Sequence, residues 1–94
     1  MNEKPQSLVR VLIYSTAGCP YCQAADRLLA RKGIGDIERV RVDLQPERRA
    51  EMQQKSGRYT VPQIWIGGRH VGGSDELHDL DDAGQLDKLL VKAT

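Results

Sequence analysis

Residues 8–22 of the chain read LVRVLIYSTAGCPYC, and this stretch decides the fold class. Residues 8–14 form a nearly continuous run of apolar and β-branched side chains, which predicts a strand covered on both faces, as in the parallel part of an α/β sheet. Residues 15–18 interrupt the run, and Pro20 suits the first turn of a helix, where its missing N–H is no loss. The stretch therefore predicts a strand that turns into a helix at Cys19.

The rest of the chain continues the alternation of helices and strands. Aliphatic side chains recur at helical spacing over residues 20–32, and alternation over residues 37–44 predicts a second, half-exposed strand. Four further features follow: a helix at 46–55, a strand at 60–66, a Gly67-Gly68 hairpin turn into a fourth strand, and closing helical segments after an N-cap at Ser74. Because a strand-helix-strand order requires a parallel pair with a right-handed crossover, the expected architecture is α/β. It is a four-stranded mixed sheet flanked by helices, in the order β-α-β-α-β-β-α.

Length and composition limit the function classes. The 94 residues suffice for one core, so we expect a single domain over residues 1–94, with residues 1–7 as a flexible extension. The formal net charge of +1 gives no excess of basic residues that would indicate binding to a nucleic acid or an anionic membrane. No apolar run approaches the roughly 18 residues of a membrane span, and the polar start shows no signal peptide. We therefore expect a cytoplasmic protein.

Cys19 and Cys22 are the only cysteines of the chain. In a reducing compartment, a Cys-x-x-Cys pair at a strand-to-helix turn is typical of a redox dithiol. The free N–H groups and the dipole at a helix start favour an anion, so we expect Cys19 to be the attacking thiolate. Cys22 lies one turn further into the helix, more shielded, and can attack the mixed disulfide to release the product.

Three other interpretations of the cysteine pair remain open. A structural disulfide that closes so short a loop contributes only about 2 kcal/mol in the chain-entropy model. A zinc site would need two further ligands, and the spacing of His70 and His78 does not fit the usual zinc motifs. The two cysteines can also pack as inert small hydrophobes.

A second informative stretch is TVP at residues 60–62. A proline that opens a strand removes one ladder donor, so it lies on an edge, at a strand start, or in a turn as a cis bond. An edge left open near Cys19 can pair its backbone with an extended peptide such as a cysteinyl tripeptide. Composition alone favours the simpler interpretation that Pro62 ends a loop.

A third stretch is GGSD at residues 72–75. Paired glycines before a helix leave backbone N–H groups accessible, and a helix start attracts a carboxylate. Asp75 can in turn accept a hydrogen bond from an ammonium group. Plain capping of the helix, with Ser74 as the N-cap, explains the same residues.

Two expectations concern the remaining polar and aromatic side chains. We expect His70 and His78 to be solvated surface residues and Trp65 to cover the second face of the sheet. The basic run over residues 48–58 is typical of a solvated helix face, from which one or two side chains can reach a ligand carboxylate.

The stretches CPYC at 19–22, TVP at 60–62 and GGSD at 72–75, in this order, resemble the dithiol glutaredoxins of the bacterial type. The resemblance covers about residues 9–90 and implies a thioredoxin fold with glutathione as co-substrate. It also implies that Cys19 forms the mixed disulfide with glutathione and that Tyr21 borders the groove. The further glutathione contacts that it implies are Thr60, the Val61 backbone, Pro62 as a cis-proline, Gly73, Ser74 and Asp75 at the γ-glutamyl end, and Arg49 or Arg58 at the glycyl carboxylate.

The sequence departs from the family pattern at two positions. Many members carry Lys three residues before the first active cysteine, where this chain has Thr16. The cation that could favour the Cys19 thiolate is therefore missing, and stabilisation of the thiolate depends more on the N–H groups and dipole of the helix start. Many bacterial members carry a third cysteine where this chain has Ser74, so no thiol is available there for side oxidation.

The resemblance implies an enzyme that reduces protein–glutathione mixed disulfides with Cys19 alone and protein disulfides with Cys19 and Cys22, recharged by glutathione. The expected partners are glutathione and glutathionylated or disulfide-containing proteins, with ribonucleotide reductase as a family-typical recipient. No metal, nucleic acid or membrane is expected, and the protein is expected to be a monomer.

Two alternative functions stay open. Pro20 and Cys22 argue against a module that carries an iron–sulfur cluster between two subunits, and Tyr21 and residues 72–75 argue against a thioredoxin recharged by a flavoprotein reductase.

Overall fold

The computed structural model describes residues 9–91, so the expected extension at residues 1–7 lies outside the described residues. Eight elements follow one another along the described chain: β1 (Val11–Ser15), α1 (Pro20–Arg31), β2 (Ile37–Arg41), α2 (Pro46–Ser56), β3 (Gln63–Ile66), β4 (Arg69–Gly72), α3 (Ser74–Asp82) and α4 (Leu86–Leu90).

The strands form one four-stranded mixed sheet in the order β2-β1-β3-β4. β1 runs parallel to β2, with Tyr14 opposite Val40, and antiparallel to β3, with Tyr14 opposite Gln63. β3 and β4 are antiparallel and joined by Gly67 and Gly68, whose φ angles of +57° and +87° are those of the expected primed turn. The predicted sheet flanked by helices is therefore confirmed.

The apolar run in β1 is explained by burial on both faces of the sheet. Ile13 packs on the face covered by α1 and α3, in a cluster with Ala25, Leu28, Leu29, Ile64, Ile66 and Leu77. Tyr14 points to the opposite face, in a second cluster with Val40, Val42, Met52 and Trp65. Met52 belongs to α2, which covers this second face. Trp65 thus lies where the sequence predicted it.

Three element boundaries differ from the prediction. β2 ends at Arg41, because the Leu44 N–H bonds back to the Arg41 carbonyl at 3.1 Å in a turn and leaves the Leu44 side chain 68% exposed. β3 begins at Gln63, after the Thr60–Pro62 segment rather than with it. The closing segment is two helices, since Gly84, with a φ of +73°, follows the C-cap of α3.

Candidate active site

The sheet register brings the three predicted motifs to one end of the molecule. Because Tyr14 pairs with Gln63 in an antiparallel register, the chain that leaves β1 towards Cys19 lies beside the chain that enters β3 from Val61. Gly73, just after β4, belongs to the third motif and lies at the same end of the sheet. A Cβ atom built on Gly73 would lie 3.3 Å from the Pro62 carbonyl oxygen, so the two backbones approach closely.

Cys19 is the N-cap residue of α1, with extended backbone angles (φ −91°, ψ 113°). Its Sγ accepts a hydrogen bond from the Cys22 backbone N–H at 3.3 Å, and Pro20 follows in the first helical turn. The Cys19 side chain is partly exposed. A sulfur in this position receives a free N–H group and the positive end of the helix dipole, both of which stabilise a thiolate.

Cys22 lies inside the first turn of α1 and is only 6% exposed. Burial raises the pKa of its thiol to about 12, and the hydrogen bond with Cys19 adds to the rise. A hydrogen bond from the Thr16 backbone opposes this shift in the Cys22 pKa. At neutral pH, Cys22 is therefore a protonated thiol held beside the more accessible Cys19.

Asp43 follows the end of β2 and is paired with Arg41. Arg41 donates to the Asp43 carboxylate through Nε at 2.8 Å and through Nη2 at 2.6 Å. This ion pair lowers the pKa of Asp43 to about 2, with a smaller contribution from the Ala17 backbone N–H.

An open cleft of about 310 Å³ is lined by Tyr21, the residue just before Cys22, although neither cysteine lines it. This volume is at the lower end of the range for small-molecule sites. Its lining residues are Tyr21, Arg58, Thr60, Val61, Pro62, Gly73, Ser74, Asp75 and Glu76. Eight of the predicted contact residues therefore meet in one cleft. Arg49, on α2, is not among the residues that line it.

The Val61–Pro62 peptide bond, on one wall of the cleft, is cis. Within residues 9–91, neither the N–H nor the carbonyl of Val61 is hydrogen-bonded to another backbone group. Val61 is half-buried, and both of its backbone groups are available to an extended peptide that pairs with it as an added strand.

The opposite wall is the start of α3, and its cap differs from the prediction. Gly73, not Ser74, is the N-cap residue, and its N–H donates to Glu76 Oε1 at 2.7 Å. Ser74 is instead the first residue of the helix and is 6% exposed. The spacing of Gly73 and Glu76 is that of a capping box, and this was the signal in the sequence that could have revealed the correct N-cap.

Glu76 also lines the cleft, although it was not among the residues predicted from the sequence. Its second carboxylate oxygen accepts from Arg58 Nη1 at 3.1 Å, so the pair joins two sides of the cleft. The Gly73 N–H, and then Arg58, hold the pKa of Glu76 below its ordinary value. Glu76 therefore lines the cleft as a carboxylate beside the cation of Arg58.

Neither histidine is a solvated surface residue, so this prediction was wrong. His78 is half-buried, and its Nδ1 donates to the Ser74 carbonyl at 2.8 Å. His70 is half-buried as well, bonds with Gln63 at 2.8 Å, and stacks on Trp65 with ring centroids 4.5 Å apart. Both rings support residues that form or back the cleft walls.

Two further observations concern metals and membranes. Between Val9 and Val91, no group of three or more His, Cys, Asp or Glu side chains is arranged to hold a metal ion. The helices of this part of the chain are all too short or too polar to cross a bilayer.

An accessible cysteine at a helix start, a buried cysteine one turn later, and a cis-proline beside them on a four-stranded mixed sheet define the thioredoxin-fold thiol–disulfide oxidoreductases. Comparison with known protein sequences shows which family within this class the chain resembles. The sequence model of the family described as glutaredoxin matches residues 11–71. A glutaredoxin of Pseudomonas aeruginosa is 58% identical over 80 residues, covering 85% of this chain and 94% of the relative.

Solved structures agree with this result. The solution structure of glutaredoxin from Brucella melitensis superposes with a TM-score of 0.79 at 54% identity, over 93% of this chain and 94% of that one. The crystal structure of a buckwheat glutaredoxin–glutathione complex gives a TM-score of 0.80 at 27% identity, over 87% of this chain and 76% of that one. The chain belongs to the glutaredoxin family, and it is a glutathione-dependent thiol–disulfide oxidoreductase.

Proposed function

We propose that Cys19 is the attacking thiol and Cys22 the resolving thiol of this enzyme. The arrangement that carries the proposal is the partly exposed N-cap cysteine Cys19 beside the buried thiol of Cys22. The Cys19 thiolate attacks the glutathione sulfur of a protein–glutathione mixed disulfide, and the protein thiolate leaves and takes up a proton. A second glutathione thiolate then attacks the glutathione sulfur bound to Cys19. This step releases oxidised glutathione and returns the Cys19 thiolate.

Protein disulfides require both cysteines. Cys19 attacks one sulfur of the substrate disulfide, and Cys22, after losing its proton, attacks Cys19 in the resulting mixed disulfide. The reduced substrate leaves, and the enzyme is left with a Cys19–Cys22 disulfide, which two glutathione molecules reduce. The 3.3 Å contact between the Cys22 N–H and the Cys19 sulfur keeps the two residues in the position that this exchange needs.

The glutathione tripeptide is proposed to lie in the cleft beside Tyr21. Its cysteinyl part pairs with the free backbone groups of Val61, between Thr60 and the cis-proline Pro62. Its γ-glutamyl end meets the start of α3, where Gly73, Ser74 and Asp75 offer backbone N–H groups and a carboxylate. The buckwheat glutaredoxin was solved as a complex with glutathione.

Arg58 is proposed to bind the glycyl carboxylate. The sequence left Arg49 and Arg58 as alternatives, but of the two only Arg58 lines the cleft. Its side chain is 44% exposed and contacts Glu76 through Nη1, so its other N–H donors can approach a ligand.

The location, oligomeric state and protein substrates are proposed from the membership of the glutaredoxin family. We infer a cytoplasmic monomer, one domain over residues 1–94, that acts on glutathionylated or disulfide-containing proteins, with ribonucleotide reductase as a family-typical recipient. Glutaredoxins have potentials near roughly −200 to −230 mV, so the glutathione pool can recharge them. No metal is proposed for the reaction.

The test is the reduction of a glutathione mixed disulfide, coupled to NADPH through glutathione reductase. Wild-type protein is expected to turn over in this assay with glutathione as the only thiol. Turnover that requires thioredoxin reductase instead would contradict the proposal. A brown protein with visible absorbance after anaerobic purification would favour the rival that carries an iron–sulfur cluster.

A further inference from the structure

The side chain of Gln63 lies behind the Thr60 wall of the cleft and is fully buried. Its Nε2 donates to the Thr60 carbonyl at 3.1 Å and to Thr60 Oγ1 at 3.3 Å, and its Oε1 lies 2.8 Å from His70 Nε2. The two ends of one buried amide thus join the cleft wall to strand β4.

The direction of these hydrogen bonds follows from donor and acceptor chemistry. The Thr60 carbonyl can only accept, so the amide nitrogen of Gln63 faces it and the amide oxygen faces His70. Because an amide oxygen also only accepts, His70 Nε2 must carry a proton. Protonation of the ring adds a proton at Nδ1 and leaves this donor in place. The bonds therefore run from His70 through Gln63 to Thr60 in either charge state of the imidazole.

The far end of this chain of bonds is firmly packed. The His70 ring stacks on Trp65 at a centroid distance of 4.5 Å. Trp65 is only 8% exposed and meets the edge of Tyr14 at 5.4 Å. Lys55 Nζ lies 4.6 Å from the centroid of the Trp65 ring. Gln63 thus ties Thr60 to the core on the second face of the sheet.

We propose that Gln63 and His70 are positioning residues that hold the Thr60–Val61 wall in the conformation that binds glutathione. This inference rests on the proposed binding of glutathione along that wall. Neither side chain lines the cleft. They act through Thr60, since a wall that is already ordered loses less conformational freedom when a peptide pairs with it.

Substitutions can cut this chain of bonds at either end. Gln63→Glu keeps an acceptor for His70 but replaces the donor to Thr60 by a second acceptor. His70→Phe keeps an aromatic ring against Trp65 and removes the donor to Gln63. His70→Gln restores an N–H donor and is the conservative control. Asp75→Asn tests the proposed groove itself, independently of Gln63.

The experiment measures KM and kcat for a glutathionylated peptide, and the rate at which iodoacetamide alkylates Cys19. We expect Gln63→Glu, which loses both donor contacts to Thr60, to raise KM about fivefold, and His70→Phe to raise it about twofold. The kcat and alkylation rate are expected to stay near wild type, and His70→Gln is expected to restore KM. If Gln63→Glu does not fold, the KM values of His70→Phe and His70→Gln are compared instead. A raised KM in His70→Phe alone supports the positioning role, and equal KM values for the two variants contradict it.

The outcomes separate this inference from the proposed function. If Asp75→Asn raises KM while the folded Gln63 and His70 variants keep the wild-type value, the positioning role is wrong and the proposed groove stands. If none of the variants changes KM, the groove proposal fails and the inference fails with it. A parallel loss of kcat, alkylation rate and stability would show general structural damage and would also overturn the inference.

Discussion

The backbone N–H of Cys22 points at the sulfur of Cys19, 3.3 Å away, across the first turn of α1. This contact gives the two cysteines different chemistry although they share one helix. Cys19 receives a hydrogen-bond donor and is partly exposed, whereas the Cys22 thiol is buried and has a raised pKa. The division of roles proposed above can be tested with single substitutions.

Substitution of either cysteine should separate the two reactions. Cys22→Ser is expected to keep the reduction of glutathione mixed disulfides and to lose the reduction of protein disulfides, because only the second reaction needs a resolving thiol. Cys19→Ser is expected to lose both. Rates with a glutathionylated peptide and with a disulfide substrate measure the difference. Equal activity of Cys19→Ser and wild type would contradict the assigned roles.

Alkylation should distinguish the two thiols over a wide pH range. Burial raises the pKa of Cys22 to about 12, so its thiolate fraction at pH 8 is of order 10⁻⁴. Limited iodoacetamide at that pH is therefore expected to modify Cys19 alone, as read by peptide mass spectrometry. Cys19→Ser provides the control: burial, the largest cause of the raised pKa, remains in this variant, so its Cys22 should react much more slowly than Cys19 of the wild type. Rapid modification of Cys22 in that variant would contradict the buried thiol.

The two arginine candidates should differ in their effect on binding. Arg58→Gln is expected to raise KM for the glutathionylated peptide about 3- to 10-fold, since one partly exposed charge-assisted hydrogen bond is lost. Arg49→Gln is the matched control and is expected to keep the wild-type KM, because Arg49 does not line the cleft. The reverse order of effects would assign the glycyl carboxylate to Arg49.

Removal of the Glu76 carboxylate should weaken the start of α3. Glu76→Ala deprives the Gly73 N–H of its acceptor and is expected to lower the free energy of unfolding by about 1 kcal/mol. Glu76→Gln retains an acceptor and should lose less. Urea denaturation measures both, with Asp79→Ala on the same helix as the control. An Asp79→Ala loss as large as that of Glu76→Ala would argue against capping as the cause.

His70 should make stability depend on pH. Burial, and then the charge of Arg58, hold the pKa of His70 below its ordinary value of 6.5, while Glu76 opposes this shift. The unfolded chain therefore binds the proton more readily than the folded protein. The stability contributed by neutral His70 is present above pH 6.5 and is lost as the pH falls through the lower folded value. His70→Phe is expected to lose less stability than wild type over this acidic step, which denaturation at several pH values would show. Identical pH profiles for the two proteins would contradict the shift.

Much of the fold could be predicted because local pattern and tertiary environment agree in β1, α1 and the Gly67-Gly68 hairpin. The apolar run of β1 is buried on both faces, and both glycines adopt the positive φ angles that a primed turn needs. The prediction of β2 ran too far because Leu44 continues the alternation of Val40 and Val42 beyond the last ladder bond, which runs from the Val42 N–H to the Ser15 carbonyl at 2.9 Å. Only a turn bonded to Arg41, which no periodicity indicates, separates Leu44 from the strand.

The site residues that belong to a contiguous motif could be predicted from the sequence. Contacts that depend on which residues of two strands face each other could not. Cys19, Val61 and Asp75 belong to short stretches that can be read directly. The bond between Gln63 and His70 depends instead on the β3–β4 register, in which Trp65 pairs with His70 next to an irregularity between Ile64 and Trp65. A one-residue change of that register would turn His70 to the other face of the sheet. Spacing alone could not show this contact.

Trp65 is the only tryptophan in the chain, and it stacks on the His70 ring behind the cleft. Under excitation that is selective for tryptophan, the fluorescence of the unlabelled protein therefore comes from a single indole in contact with an imidazole that can be titrated. The enzyme thus has an intrinsic optical reporter on the side of the sheet away from the reacting sulfurs, and changes on that side can be followed during turnover without attaching a dye.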